Sequence, residues 1–267
     1  MSTTSFFINK ISESALFTLL SKAEDYKKKN SLLKDKEAFK LLENLNLNLS
    51  KYSGRLITKQ GIVIRSKAFD KYTIEFIEKN ENPVIIMLGC GLDTRYQRIF
   101  PLCEKAKFYY VDLEEVIEAR RYFLPPGSNE HLIPCSMFDL AWWAEITTHE
   151  KNSDYLIIVE GVLVYFSAEE NKKFINLVSA VASGAELVFD IVCNNLIDNY
   201  RQKDKDTLLK FGLDDILQLE SWEERLKISK VIDLKDCAGY KVMLALIKQH
   251  NLENMKYSTK LVVTKIN

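Results

Sequence analysis

Residues 83–95 read Pro-Val-Ile-Ile-Met-Leu-Gly-Cys-Gly-Leu-Asp-Thr-Arg, an apolar run that ends in Gly-x-Gly and then turns polar. Such a run suits a strand buried on both faces of a parallel sheet. Gly89 and Gly91 permit positive φ and put no Cβ in the path of a close ligand. A second apolar run, Phe108 to Val111, ends in Asp112, 21 residues after Gly91. At that spacing an acidic side chain reaches the ribose of a nucleoside ligand held on the glycine turn. The third glycine of the dinucleotide pattern is missing, because position 94 is Thr.

The rest of the chain alternates around this unit. Residues 12–29 and 35–44 have helical spacing, with Ser12 as an N-cap and Lys27-Lys28-Lys29 as a solvated helix end. Lys51 to Arg55 reads as a polar loop. Residues 60–80 form a further helix with Ile62, Ile64, Phe69, Ile74 and Ile77 turned inward, stopped before Pro83. Strands follow at 84–88, 107–112, 131–134, 155–159 and 186–192, with helices near 93–100, at 113–123 and at 168–182, the last capped by Ser167. The segment holding Trp142 and Trp143 reads as polar. Repeated strand–helix units imply an α/β fold with a mostly parallel sheet and helices on both faces. Residues 195–225 break the alternation and read as an inserted helical lid with Phe211, Leu213, Ile216, Leu217 and Trp222 inward. The end returns as strand 227–233, helix 240–249 and strand 258–265, which adds an antiparallel C-terminal strand.

We therefore divide a single domain of 267 residues into a helical cover (1–80), a cofactor-binding core (83–193), a lid (194–226) and C-terminal strands with a helix (227–267). Lys plus Arg and Asp plus Glu both number 37, so no net basic field points to nucleic acid. The five cysteines are scattered without a Cys-x-x-Cys pair, and only three histidines are present, which argues against a metal site or a disulfide framework. No segment approaches the length of a membrane span, and Met1 to Ser5 begins no secretory leader, so the expected location is cytoplasmic.

Ligands of open α/β sheets lie beyond the carboxyl ends of the strands. Those ends supply Gly89-Cys90-Gly91, Asp112, Cys135-Ser136-Met137-Phe138 and Glu160-Gly161. Asp112 can accept from two vicinal hydroxyls, and it can equally cap the helix that follows. Glu160 can bind an ammonium group or close a salt bridge. Ser136 and Met137 fit an adenine edge as well as a plain loop. Arg65 can clamp a carboxylate, although spacing alone reads it as a surface arginine with a snorkelling stem.

Leu88 to Arg95, Val111-Asp112-Leu113-Glu114-Glu115-Val116-Ile117 with Arg120-Arg121, and Glu160-Gly161-Val162-Leu163-Val164-Tyr165 together resemble the leucine carboxyl methyltransferase family. The likeness is strongest to its bacterial branch of small-molecule O-methyltransferases, similar to the tetracenomycin polyketide enzymes. Asp35-Lys36-Glu37-Ala38 and Phe211-Gly212-Leu213-Asp214-Asp215 extend it. The resemblance implies a class I, Rossmann-like methyltransferase fold with S-adenosyl-L-methionine as cofactor and a small-molecule methyl acceptor. It implies a cofactor set of Arg65 on the methionine carboxylate, Gly89, Cys90 and Gly91 beneath the methionine and ribose, Asp112 with Leu113 at the ribose, Ser136 and Met137 at the adenine, and Glu160 with Gly161 at the amino group. Tyr165, Tyr200 and Phe211 are candidates for the acceptor pocket, and no residue is assigned as a base. Two other readings share the glycine turn and the acid: an NAD(P)-dependent oxidoreductase, and a protein that binds the cofactor without transferring methyl.

Overall fold

A computed structural model of the chain describes residues 12–45, 55–203, 205, 207–249 and 258–267. Met1 to Ser5, His250 and most of the loop expected at Lys51 to Arg55 lie outside the described residues. The described residues begin with the helices α1 (Glu13–Tyr26), α2 (Lys36–Leu45) and α3 (Leu56–Lys79). Ser12 caps α1 by accepting the Ala15 N–H at 3.2 Å. Asn80 stops α3, because its backbone and side-chain N–H groups both return to the Phe76 carbonyl.

The strands are β1 (Pro83–Leu88), β2 (Lys107–Asp112), β3 (Glu130–Pro134), β4 (Asp154–Val159), β5 (Glu186–Val192), β6 (Leu226–Asp233) and β7 (Thr259–Ile266). They form one sheet in the order β3-β2-β1-β4-β5-β7-β6. All pairings from β3 to β5 are parallel, and β7 runs antiparallel to both β5 and β6. The mostly parallel sheet with a reversed C-terminal strand is thus as expected.

Alternation along each strand divides the core between two faces. Val84, Ile86 and Leu88 of β1 join one apolar cluster, and Ile85 and Met87 join the other. The first is covered by α6 (Ala141–His149) and α7 (Ala168–Val181), through Trp142, Ile146, Phe174 and Val178. The second is covered by α3 and α9 (Tyr240–Gln249), through Ile64, Phe69, Ile77, Met243 and Ile247. A third cluster packs α1 and α2 against Ile62 of α3 and against α5 (Glu114–Phe123). Each fully buried aliphatic side chain contributes about 1.5–3 kcal/mol, so every β1 residue helps hold the glycine turn in place.

Three expectations change. The segment around Trp142 is helical, because Trp142 and Ile146, four residues apart, are both fully buried while most of their neighbours face solvent. Among its described residues the stretch between β5 and β6 holds one α-helix, α8 (Asn194–Lys203), then irregular chain and a 3₁₀ turn, Ile216–Ser221. Within it Leu217 points outward, 70% exposed, while Ile216 and Leu219 bury against the sheet. Ile74 of α3 is half-buried. Among the described residues no helix is long and apolar enough to cross a membrane.

Candidate cofactor site

Chain order sends β2 and β3 to one side of β1 and β4 and β5 to the other. The sheet therefore opens a crevice beyond the carboxyl ends of β1 and its neighbours. Three of the expected groups arrive there together. The glycine turn leaves β1, Asp112 ends β2, and Glu160 follows β4.

The turn is pinned from the β2 side. The Gly89 and Cys90 N–H groups both reach the Val111 carbonyl, at 2.9 and 3.4 Å. Gly89 has φ +65°, and a Cβ there would lie 2.6 Å from Val162 Cγ2. The Gly91 N–H donates to Asp112 Oδ2 at 2.8 Å, and the Leu113 N–H donates to Oδ1 at 2.8 Å. Asp112 does not act as the cap of α5, since the residue at the cap is Leu113. Each of its oxygens keeps acceptor capacity beyond one N–H. Burial pushes the Asp112 carboxyl above its usual range, against the two N–H groups and Arg120, which hold it down.

Glu160 is the centre of a buried charge network. Its Oε1 accepts from Ser66 Oγ at 2.7 Å and Arg65 Nε at 3.3 Å, and its Oε2 accepts from Arg95 Nη2. Arg65 Nη1 also binds Asp190 Oδ2 at 3.2 Å, and Asp190 Oδ1 accepts the Gly161 N–H at 2.6 Å. Burial raises the Glu160 carboxyl, but Arg95, Lys22 and Arg65 pull it down to about 2. The network continues through Asp70, which binds both Arg95 and Arg98, to Asp35, which takes Arg98 and Thr94. Lys22 of α1 is ion-paired to Asp93 of the turn. Five carboxylates (Asp35, Asp70, Asp93, Glu160, Asp190) thus meet four cations (Lys22, Arg65, Arg95, Arg98). An excess of buried negative charge favours a ligand that brings positive charge.

These groups open onto a cleft of about 1240 Å³. Arg65, Gly89, Cys90, Gly91, Asp112, Leu113, Glu160, Gly161, Tyr165 and Tyr200 all line it. Its outer wall comes from α8 and residues 207–209, facing the start of α3. Tyr200 Oη and Thr58 Oγ1, 2.9 Å apart, join the two sides. Three expected residues lie elsewhere. Phe211 is 6% exposed and belongs to the core, with its ring 5.9 Å from Trp222, because the Lys210 and Phe211 N–H groups are both drawn to the Val164 carbonyl. Met137 packs into the same core, and Ser136 Oγ accepts the Phe138 N–H at 3.3 Å; neither lines the cleft.

Several residues of the network were not singled out from sequence. Asp190 lies within the buried stretch of β5, and Lys22 sits 3% exposed within α1, where an apolar residue would be ordinary. A charged residue on an apolar helical stripe is the signal that could have found Lys22. The cradle fits S-adenosylmethionine. It has an acid for hydroxyls at β2, an acid at β4, glycines where a Cβ would collide, and a charge balance that suits a cation.

A family model described as leucine carboxyl methyltransferase matches residues 11–179. The tetracenomycin polyketide synthesis O-methyltransferase TcmP of Streptomyces glaucescens is 24% identical over 182 residues, 68% of this chain and 66% of that protein. The S-adenosyl-L-methionine-dependent methyltransferase dpfgK of Gibberella zeae is 24% identical over 170 residues, 59% of this chain and 57% of that protein. The chain thus spans just under two thirds of the first relative and less of the second. Among solved structures, a candidate methyltransferase from Thermobifida fusca superposes with TM-score 0.59 at 12% identity, covering 93% of this chain and 94% of that one. Magnesium protoporphyrin IX methyltransferase of Synechocystis PCC 6803, solved with bound SAH, gives TM-score 0.53 at 12% identity over 90% of this chain and all of that one. At this identity the superpositions speak to fold, which is that of class I methyltransferases.

Proposed function

Because the chain belongs to the leucine carboxyl methyltransferase family, whose cofactor is S-adenosylmethionine, we propose that it methylates an oxygen of a small molecule. The observation that carries this reading is the placement of Asp112 and Glu160. They follow the two strands that flank β1, and both line one cleft above its glycine turn.

The cofactor supplies a methyl group already activated by a positive sulfonium. This chain's residues bind, orient and exclude water. Asp112 takes the ribose hydroxyls, with Leu113 beside it. Glu160 takes the ammonium. Arg65 already spends Nε and Nη1 on Glu160 and Asp190, so Nη2, next to Gly161, is its group for the methionine carboxylate. Gly89, Cys90 and Gly91 form the floor, and Gly161 leaves room for Arg65. Ser136 and Met137 are left out of this set. Tyr165 and Tyr200 wall the acceptor side.

The acceptor oxygen is a carboxylate in this reading, with a phenol as the alternative. Among the described residues no histidine lines the cleft, and the described residues of its outer wall, Leu196, Ile197, Asn199, Tyr200 and 207–209, include no acid. A carboxylate is ionised at neutral pH and needs no base, whereas a phenol gains from one. Incubation with labelled donor and a panel of aromatic carboxylic acids and phenols tests the proposal. Methyl esters are the expected product, and transfer confined to phenols would overturn the carboxylate assignment.

A further inference from the structure

Arg120 is a buried cation beside the glycine turn that belongs neither to the charge network nor to the reading above. It lies on α5, 1% exposed. Its Nη1 donates to two backbone carbonyls of the turn, Asp93 O at 2.7 Å and Gly91 O at 3.2 Å. Its guanidinium carbon stands 3.6 Å from the Tyr110 ring centroid, and its buried Nε has no acceptor. Among the described residues it makes no ion pair. Burying a guanidinium without a carboxylate partner is costly, and a packed apolar side chain would fill the space at less expense. The turn it holds is the floor of the cleft.

Resting on the proposed cofactor site, we infer that Arg120 is a positioning residue for the cofactor: it locks the Gly-x-Gly turn through the Gly91 and Asp93 carbonyls. Arg120 thus anchors the turn on the far side of Gly91, whose own N–H, in the preceding peptide, meets Asp112 at 2.8 Å. Tyr110 fixes the guanidinium in turn, from the strand that carries Asp112. One planar group therefore ties β1, β2 and α5 together under the ligand. A lysine offers the charge and donors but not the plane that stacks on a ring while one nitrogen serves two carbonyls.

A pH profile separates this from a purely structural role. The charged groups that act on Asp112 are Arg120 and Glu115 from α5, and the Cys90 thiol of the turn lies beside it. The end of β3 contributes a backbone N–H, from Cys135 to the Asp112 carbonyl. Burial raises the Cys90 thiol, so it stays neutral. The Gly91 and Leu113 N–H groups, and after them Arg120, hold the Asp112 carboxyl down against burial. Loss of Arg120, and with it of the turn that presents the Gly91 N–H, moves protonation of Asp112, and the acid limb of cofactor affinity, to higher pH.

The experiment is calorimetric titration of the full chain with S-adenosylhomocysteine across a range of pH, for wild type, Arg120→Lys and Arg120→Met, with Tm recorded for each. Arg120→Met is expected to weaken binding about tenfold or more and to shift the acid limb upward. Arg120→Lys is expected to keep the limb in place and still bind more weakly than wild type. Wild-type affinity with an unshifted limb in both variants overturns the inference. So does weaker binding that tracks Tm alone. If Arg120→Met does not fold, Arg120→Lys decides: affinity equal to wild type overturns the turn-locking role. Failure of the wild-type chain to bind S-adenosylhomocysteine is a different result and removes the proposed cofactor site itself.

Discussion

The Gly91 N–H and the Asp112 carboxylate meet at 2.8 Å across 21 residues of chain. The bond joins the turn after β1 to the end of β2, so the group that fixes the glycine turn is also the group we propose for the ribose. Asp112→Asn keeps the size of the side chain and removes its charge. We expect the affinity for S-adenosylhomocysteine to fall about 10- to 100-fold, since hydrogen bonds to a charged acceptor are worth about 1.5–3 kcal/mol. Calorimetry on the folded variant checks this, and unchanged affinity would remove Asp112 from the site.

Glu160 links stability to pH. Its carboxyl lies at about 2, below its ordinary value of 4.5. A depressed value means that the stabilisation is complete above pH 4.5 and is lost as the pH falls toward 2. Urea unfolding of wild type should weaken through that window. Glu160→Gln should flatten the slope there and cost about 3–5 kcal/mol at neutral pH, because it leaves Arg65 and Arg95 facing a neutral group.

Gly161 has φ +69°, and a Cβ there would stand 2.6 Å from Arg65 Nη2. Gly161→Ala is expected to displace the Arg65 guanidinium and to cost about 1–3 kcal/mol in backbone strain. The KM for the methyl donor should rise more than that for the acceptor. Equal increases in both would place Arg65 away from the donor.

Tyr200 and Thr58 close the cleft from opposite sides at 2.9 Å. Tyr200→Phe removes one hydrogen bond and should cost about 0.5–1.5 kcal/mol of stability. The acceptor KM should rise while the affinity for S-adenosylhomocysteine holds. Phe211→Ala is the contrast, because that ring is core. It should cost about 3–5 kcal/mol, read as a fall in the urea midpoint.

What the sequence displayed was local. The β1 run, the glycine turn and the 21-residue step to Asp112 are patterns within one strand–turn–strand unit, and all three settled where expected. The capped starts at Ser12 and Ser167 were visible because a cap is a few residues long. The helix around Trp142 was hidden because only Trp142 and Ile146 bury, too narrow a stripe to show helical period. The charge network was hidden for another reason. Arg95 meets Asp70 across 25 residues and Glu160 across 65, and Arg98 meets Asp35 across 63. The pair with Glu160 exists only once the sheet has brought the ends of β1 and β4 together, and the other two only once α3 and the start of α2 pack beside the turn. Phe211 shows the limit of reading an aromatic residue in a polar stretch as a pocket wall, since the same residue type serves a core.

The most direct measurement is calorimetric titration of the purified full chain with S-adenosylhomocysteine and, separately, with NADH. The expected result is saturable binding of S-adenosylhomocysteine, weakened by Asp112→Asn, and no heat from NADH. Tight binding of NADH with none of S-adenosylhomocysteine would contradict the assignment of the cleft above Gly89 and Gly91.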